Sequence, residues 1–135
     1  MPEIKAELNS YRQSPRKVRL VADLVRGKKV NDALALLSFT TKRASNPVGK
    51  LIGSAVANAR GLSIPPENLI VKEISVGAGA TLYRRRPRSR GMANTIRKRT
   101  SHISVTLIDN SQLTKNKKQK TRSKKNSLSI ENSKS

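Results

Sequence analysis

The stretch TLYRRRPRSRGMANTIRKRTSH, residues 81–102, carries eight basic side chains, no carboxylate and hardly any apolar residue. Such a segment has nothing to bury, and its like charges repel one another, so it builds no core of its own. All of its basic residues except Lys98 are arginines, whose planar guanidinium grips phosphate in a fork and stacks on bases. No acid occurs anywhere between Glu73 and Asp109. Solvated surface loops mix the two signs of charge, and this one does not. The core must therefore form elsewhere, and the charge here must be met from outside the chain.

The flanking sequence says how the segment is held. Residues 69–76 are β-branched and apolar, broken by Lys72 and Glu73, and read as a strand ended by Gly77 and Gly79. In 102–108, Ile103, Val105 and Leu107 alternate with His102, Ser104 and Thr106, the period of a half-buried strand. The 25 residues between them, 77–101, are too many for an ordinary connection. A hairpin that continues both strands adds roughly 12 residues per arm and projects about 40 Å. Pro87 and Gly91 are placed to bend and turn it. Gly77 and Gly79 resemble a phosphate cradle only weakly. No Gly-Lys-Ser/Thr or helix start follows, and a flexible hairpin root is the better reading.

Upstream, Ile4, Ala6 and Leu8 alternate as a strand with one buried face. Ser14-Pro15 opens a helix in which Val18, Val21, Ala22 and Val25 form the apolar stripe, Leu20 and Leu24 widen it, and Gly27 closes it. Arg16, Arg19, Asp23 and Arg26 take another face. Asn31 caps a shorter helix through Ala33, Leu34, Leu36 and Leu37. Asn46-Pro47 opens a third, with Val48, Leu51, Ile52, Ala55, Val56 and Ala59 in a clean stripe up to Gly61. Gly53, Ala55, Ala57 and Ala59 on that helix are small, which predicts close packing on a neighbour. Residues 62–68, with Pro65-Pro66, are a connector. After Asn110 the composition turns to Lys, Ser and Asn, which predicts a disordered basic tail. The expected organisation is one globular domain, 1–110, with its hairpin at about 77–101, and a low-complexity tail, 111–135.

A chain of 135 residues suits one modest core, built from Val, Ile, Leu and Ala because aromatics make up only 2%. The formal charge of +21, from 29 basic against 8 acidic residues, points to a polyanionic partner. There is no cysteine, so no disulfide or thiolate chemistry. No apolar run is long enough to span a membrane. The N-terminal MPEIKAELNSYRQ has neither a signal-peptide core nor a transit-peptide pattern, which predicts action in the compartment of synthesis. The acids Glu3, Glu7, Asp23, Asp32, Glu67, Glu73, Asp109 and Glu131 are scattered singly, and His102 is the only histidine. Paired-carboxylate, metal and triad chemistry all lack their residues, so no catalytic residue, metal or cofactor is expected.

Two further basic groups stand out. Arg12, Arg16, Lys17 and Arg19, with Arg26, Lys28 and Lys29 beyond, form either a nucleic-acid face or an ordinary solvated helix face. The tail, with eight basic residues, is either a nucleic-acid arm or an electrostatic appendage. His102, beside Arg99, is either an RNA contact or a satisfied strand residue. No recognition helix, zinc-finger spacing or basic zipper is visible. Tyr11, Phe39 and Tyr83 are too few aromatics for an RNA-stacking sheet. A rigid body with a charged arm fits insertion into folded RNA better than a duplex surface. A free nucleoid-type DNA-binding protein and an RNA-processing enzyme are the competing classes.

Four segments, SPRKVRLVADLVRGKKV (14–30), KRASNPVGKLIGSAVANA (42–59), RPRSRG (86–91) and KRTSHI (98–103), resemble the bacterial-type large-subunit ribosomal protein twenty-two family in the right order. The similarity spans about residues 4–109. It implies an α+β fold, three helices packed on a small antiparallel three-stranded sheet, with a long protruding hairpin between the last two strands. It further implies a non-catalytic constituent of the large ribosomal subunit that binds large-subunit ribosomal RNA and aids assembly. The hairpin of such proteins lines the nascent-peptide exit tunnel. Carried onto this chain, Leu82, Tyr83, Arg84, Arg85, Arg86, Pro87, Arg88, Ser89, Arg90 and Gly91 would form the tunnel-lining tip. Arg97, Lys98, Arg99 and His102 would anchor the base, and Arg12, Arg16, Lys17, Arg19, Lys28 and Lys29 the body's RNA face. Expected partners are large-subunit ribosomal RNA, neighbouring large-subunit proteins and the nascent peptide in transit, with no membrane and no homo-oligomer. The implied place is the ribosome in a bacterial cytoplasm, with a plastid stroma as the alternative. Members usually carry acids and a proline at the hairpin root, where this chain has Gly77-Ala78-Gly79-Ala80, and the tail matches nothing in them.

Overall fold

The alternating apolar residues of 101–109 leave that segment fit for the middle of a sheet, and that is where it lies. In the computed structural model, which describes residues 3–110, β5 (Ser101–Asp109) takes β1 (Ile4–Tyr11) on one side and β2 (Leu69–Ala78) on the other, both antiparallel. Ile103, Val105 and Leu107 are buried under helices, while Ser104 and Thr106 face the open side. There the Ser75 and Ser104 hydroxyls hydrogen-bond across the strands at 2.7 Å.

The helices α1 (Pro15–Val25), α2 (Val30–Phe39) and α3 (Ser45–Gly61) cover the other face, so the fold is α+β as expected. α1 packs on β2, α3 on β1, and α2 against both helices. The predicted stripe of α3 is buried at every position, and Pro15, Val18, Val21, Ala22 and Val25 are buried on α1. Burying each Val, Leu or Ile contributes about 1.5–3 kcal/mol relative to leaving it in water. Leu20 and Leu24 do not join this core: they are 64% and 47% exposed. Leu20 sits two residues past Val18, about 200° around the helix, on the far side from the sheet. Leu34 and Leu36 are likewise on the outside of α2, where only Val30, Ala33 and Leu37 are buried.

α2 starts at Val30 rather than behind an Asn31 cap. Gly27, at φ +74°, turns the chain so that its N–H donates to the Val71 carbonyl at 2.9 Å, and Val71 N–H donates to the Lys28 carbonyl at 3.0 Å. This bonding pins residues 27–29 to the β2 edge and leaves the helix to begin at the next residue. α3 likewise starts one residue early, at Ser45, with Pro47 in a first turn that needs no donor there. A bulge at Lys72 lets Val71 and Ile74 both point into the core while Lys72 and Glu73 face solvent. That accounts for the two charges interrupting an apolar run.

β2 runs on through Gly77 to Ala78, past its expected end. The arm is a separate two-stranded ribbon, β3 (Leu82–Pro87) paired with β4 (Ala93–Lys98) from Leu82↔Lys98 to Pro87↔Ala93. Pro87 closes the ladder, and the turn is made by residues 88–92. Arg88 N–H donates to the Met92 carbonyl at 2.7 Å, with Arg90 at φ 59° and Gly91 at φ 67°. The glycines at 77 and 79 do form the root of the hairpin, and backbone and side-chain bonds tie its two chains together there. Gly79 N–H donates to the Thr100 carbonyl at 3.0 Å, and the Thr100 hydroxyl donates to the Ala80 carbonyl at 2.7 Å. A Cβ on Gly79 would lie 2.4 Å from Thr100 Oγ1 and 2.9 Å from His102 Nε2, so glycine permits a close approach of the two chains. The predicted disordered tail, 111–135, lies outside the described residues.

Candidate nucleic-acid interface

A two-stranded ribbon has two faces, and the register of β3 on β4 assigns each arm residue to one. Leu82, Arg84 and Arg86 share a face with Lys98, Ile96 and Asn94, and Tyr83, Arg85 and Pro87 share the other with Arg97, Thr95 and Ala93. Both faces thus carry cations, and Arg88 and Arg90 carry them around the turn. Every residue of the predicted tip, 82–91, is exposed, and of β4 only Ile96 is partly covered. Arg84 Nη1 donates to the carbonyl of Tyr83 at 2.7 Å, a bond within the arm's own backbone. Each face mixes its cations with apolar residues, Leu82 and Ile96 on one and Tyr83, Pro87 and Ala93 on the other.

At the arm's base the charge is gathered into a cleft. Its walls are Arg12, Gln13, Ser14, Lys17, Arg43, Arg97, Lys98 and Arg99, enclosing about 540 Å³ with no carboxylate among them. The pairing of Tyr11 with Ser101 at the end of the β1–β5 ladder sets residues 12–14 beside 97–99. The Tyr11 hydroxyl, 2.8 Å from Gln13 Oε1 and 3.4 Å from the Arg43 carbonyl, ties the loop before α3 to the same corner. Arg43 escaped the sequence-based site assignment. The signal was present, since no acid occurs between Asp32 and Glu67, but that loop is remote from the other cations in sequence.

The remaining candidates are dispersed. Arg16 is exposed on α1. Arg19 is bonded to the sheet, donating from Nε and Nη2 to the Val76 carbonyl at 3.2 and 2.9 Å. Lys28 and Lys29 lie beyond the opposite end of α1 from the cleft, their backbone on the β2 edge. The candidate cations of the body are therefore not one face: Arg12 and Lys17 line the cleft, while Lys28 and Lys29 lie beyond the other end of α1. His102 is half-buried and engaged: Ser10 N–H donates to its Nδ1 at 3.2 Å, with Asn9 Oδ1 3.1 Å away. Its surroundings are those of a satisfied strand residue.

Ion pairs on the body lie away from the cleft. Arg26 meets Asp23 at 2.8 Å, Lys5 meets Glu3 at 3.7 Å, and Lys72 also holds Glu3. The hydrogen bond and charge of Lys72, with Lys5 adding, hold the Glu3 carboxyl below its ordinary value, and Glu3 raises Lys72 in return. Among the described residues no group of three or more His, Cys, Asp or Glu could hold a metal ion, and no helix is long and apolar enough to cross a membrane.

Known proteins share this sequence over nearly all of the described residues. The family model for ribosomal protein L22p/L17e matches residues 6–108. The large ribosomal subunit protein uL22 of Desulfitobacterium hafniense (strain DSM 10664 / DCB-2) is 54% identical over 110 residues, 81% of this chain and 96% of that one. Its namesake from Acholeplasma laidlawii (strain PG-8A) is 48% identical over 108 residues, 79% of this chain and 97% of the relative. For Lactobacillus helveticus (strain DPC 4571) the figures are 51% over 106 residues, 78% and 91%. A family of ribosomal proteins, not of enzymes, accounts for the charge, the arm and the scattered acids alike: the chain belongs to the ribosomal protein L22p/L17e family.

Proposed function

We infer that this protein is a structural constituent of the large ribosomal subunit, binding large-subunit ribosomal RNA and helping the subunit assemble. One observation carries the reading: the arm bears cations on both faces and around its turn, so its charge is balanced only by a polyanion on all sides. A folded RNA supplies such surroundings, whereas the outside of a duplex meets one face. The relatives' name, large ribosomal subunit protein, agrees with it. Within this reading Arg84, Arg85, Arg86, Arg88 and Arg90 hold the arm to phosphates. Residues 82–91 line the nascent-peptide tunnel, and neighbouring subunit proteins and the passing peptide are further partners. The ribosome of a bacterial cytoplasm is the site of action.

The test is salt-dependent binding to large-subunit ribosomal RNA and to duplex DNA of matched length. It uses the intact chain and a variant with residues 82–96 replaced by a two-residue turn. Six or more neutralised phosphates make affinity fall about a thousandfold between 50 and 200 mM salt. Tighter binding to the RNA, with a shallower slope in the variant, supports the reading. Equal binding to both polyanions, unchanged by the replacement, makes the charge non-specific and overturns it.

A further inference from the structure

We propose that the outer edge of β1 takes an added strand, an extended basic segment of another protein in the large subunit. This rests on the ribosomal reading above and names a partner for a surface that the arm and the cleft leave out. Edge protection comes first. β1 and β2 are the two outer strands of the sheet, and only β2 is closed. Val71 bonds both ways with residues 27 and 28. Arg26 Nη2 donates to the Ile74 carbonyl at 3.1 Å, and Arg19 holds that of Val76. Each outward carbonyl of β2 from 71 to 76 is thus covered from α1 and the turn after it.

β1 has no such cover. Residues bonded to β5 alternate with residues whose backbone points away from it. The Lys5 carbonyl accepts from Asn58 Nδ2 at 3.2 Å, which makes Lys5, Glu7 and Asn9 the outward set. All three are exposed. Among the described residues, the Lys5 N–H and both backbone groups of Glu7 have no partner on that side. An open row of donors and acceptors is a template for one more strand. Leu8, on the inner face of the same edge, is only partly buried, and an apolar residue of the added strand covers it.

Charge says what kind of strand. Residues 3–9 and 72–75 carry three carboxylates and two lysines, on a chain whose formal charge is +21. Lys5 and Lys72 both serve Glu3, and Glu7 is in no ion pair among the described residues. Glu7 and Glu73 line a depression of about 160 Å³ over Ser104 and Thr106. Phosphates are repelled here, so RNA is not the occupant. A lysine or arginine opposite Glu7 on the added strand gains a cross-strand ion pair. Backbone bonding is blind to sequence, and Glu7 supplies the preference.

The experiment uses large subunits assembled around the full chain. With no native cysteine in the chain, Lys5→Cys carries a photo-crosslinker attached before assembly, and the cross-linked peptide is sequenced by mass spectrometry. One segment of another subunit protein is expected, with lysine or arginine within a few residues of the attachment. Glu7→Pro removes an outward N–H on an edge strand, where proline is tolerated, and should lower the yield about fivefold or more. Glu7→Lys should lower it about twofold to fivefold. Thermal unfolding of both isolated variants, followed by circular dichroism, should match the parent's. Should Glu7→Pro fail to fold, Glu7→Lys decides together with amide exchange at residues 5 and 7, which should be slower in the subunit than in the free chain. Cross-links to RNA alone, to a second copy or to no protein overturn the proposal and leave the ribosomal reading standing, as does a yield unchanged in the variants. If the labelled chain does not enter the large subunit, both fall.

Discussion

At Gly79 a methyl group has no room, because Thr100 Oγ1 would lie 2.4 Å from it and that hydroxyl is already committed to the Ala80 carbonyl. Thr100 is buried and stiff at χ1, so the neighbour yields only by breaking its bond. Gly79→Ala should cost about 1–3 kcal/mol in chemical denaturation. Gly53, in the middle of α3 with nothing within 4 Å of a built Cβ, gives the opposite sign. Gly53→Ala should stabilise by about 0.5–1 kcal/mol in the same assay. The contrast shows why Gly79 was read as a flexible root: composition marks a glycine, and only the partner strand marks a close approach. Leu20 and Leu24 misled in the other direction, since an apolar residue beside a stripe carries no label saying that it faces water. Charge at the surface gives a smaller effect. Glu3 has its carboxyl lowered by Lys72 and Lys5, so the pair stabilises at neutral pH, and that contribution is lost as pH falls through the lowered value. Glu3→Gln should erase a slight acid-side decline in stability, and high salt should shrink the difference, as for any exposed pair.

Between elements the differences in support are larger. β5 is paired along both edges and buried beneath α1 and α3, whereas β3 and β4 pack chiefly on each other and lie in solvent. Without RNA, amide hydrogen exchange should be slowest in β5 and many times faster in residues 82–98. Equal protection of the ribbon and the central strand would contradict this account. The core elements were legible because burial writes a period into sequence: the α3 stripe and the Ile103–Val105–Leu107 alternation are that imprint. The division of the hairpin into two ladders left no such imprint. It is set by backbone bonds around Gly79 and Thr100, to which side-chain pattern is blind. The cleft was half legible, its cations apparent and their convergence hidden in the Tyr11–Ser101 pairing.

For the molecule as a whole, core and charged arm share little but the root. The described core is drawn from β1, β2, β5 and the three helices and takes nothing from β3 or β4. Replacing residues 82–96 by a two-residue turn should therefore leave the thermal midpoint within a few degrees of the parent's, while RNA affinity falls. A large loss of stability would mean that the arm is structurally required. The ribbon's own geometry adds a rule about reach. Each rung of β3 on β4 pairs one residue with one, and successive rungs point to opposite sides. Adding a single rung would rotate the whole tip by half a turn relative to the body, exchanging the sides that Arg84 and Arg85 address. Two added rungs restore the orientation and extend the arm by about 7 Å. An arm of this kind can lengthen or shorten over generations only in paired steps, unless its surroundings are rebuilt with it.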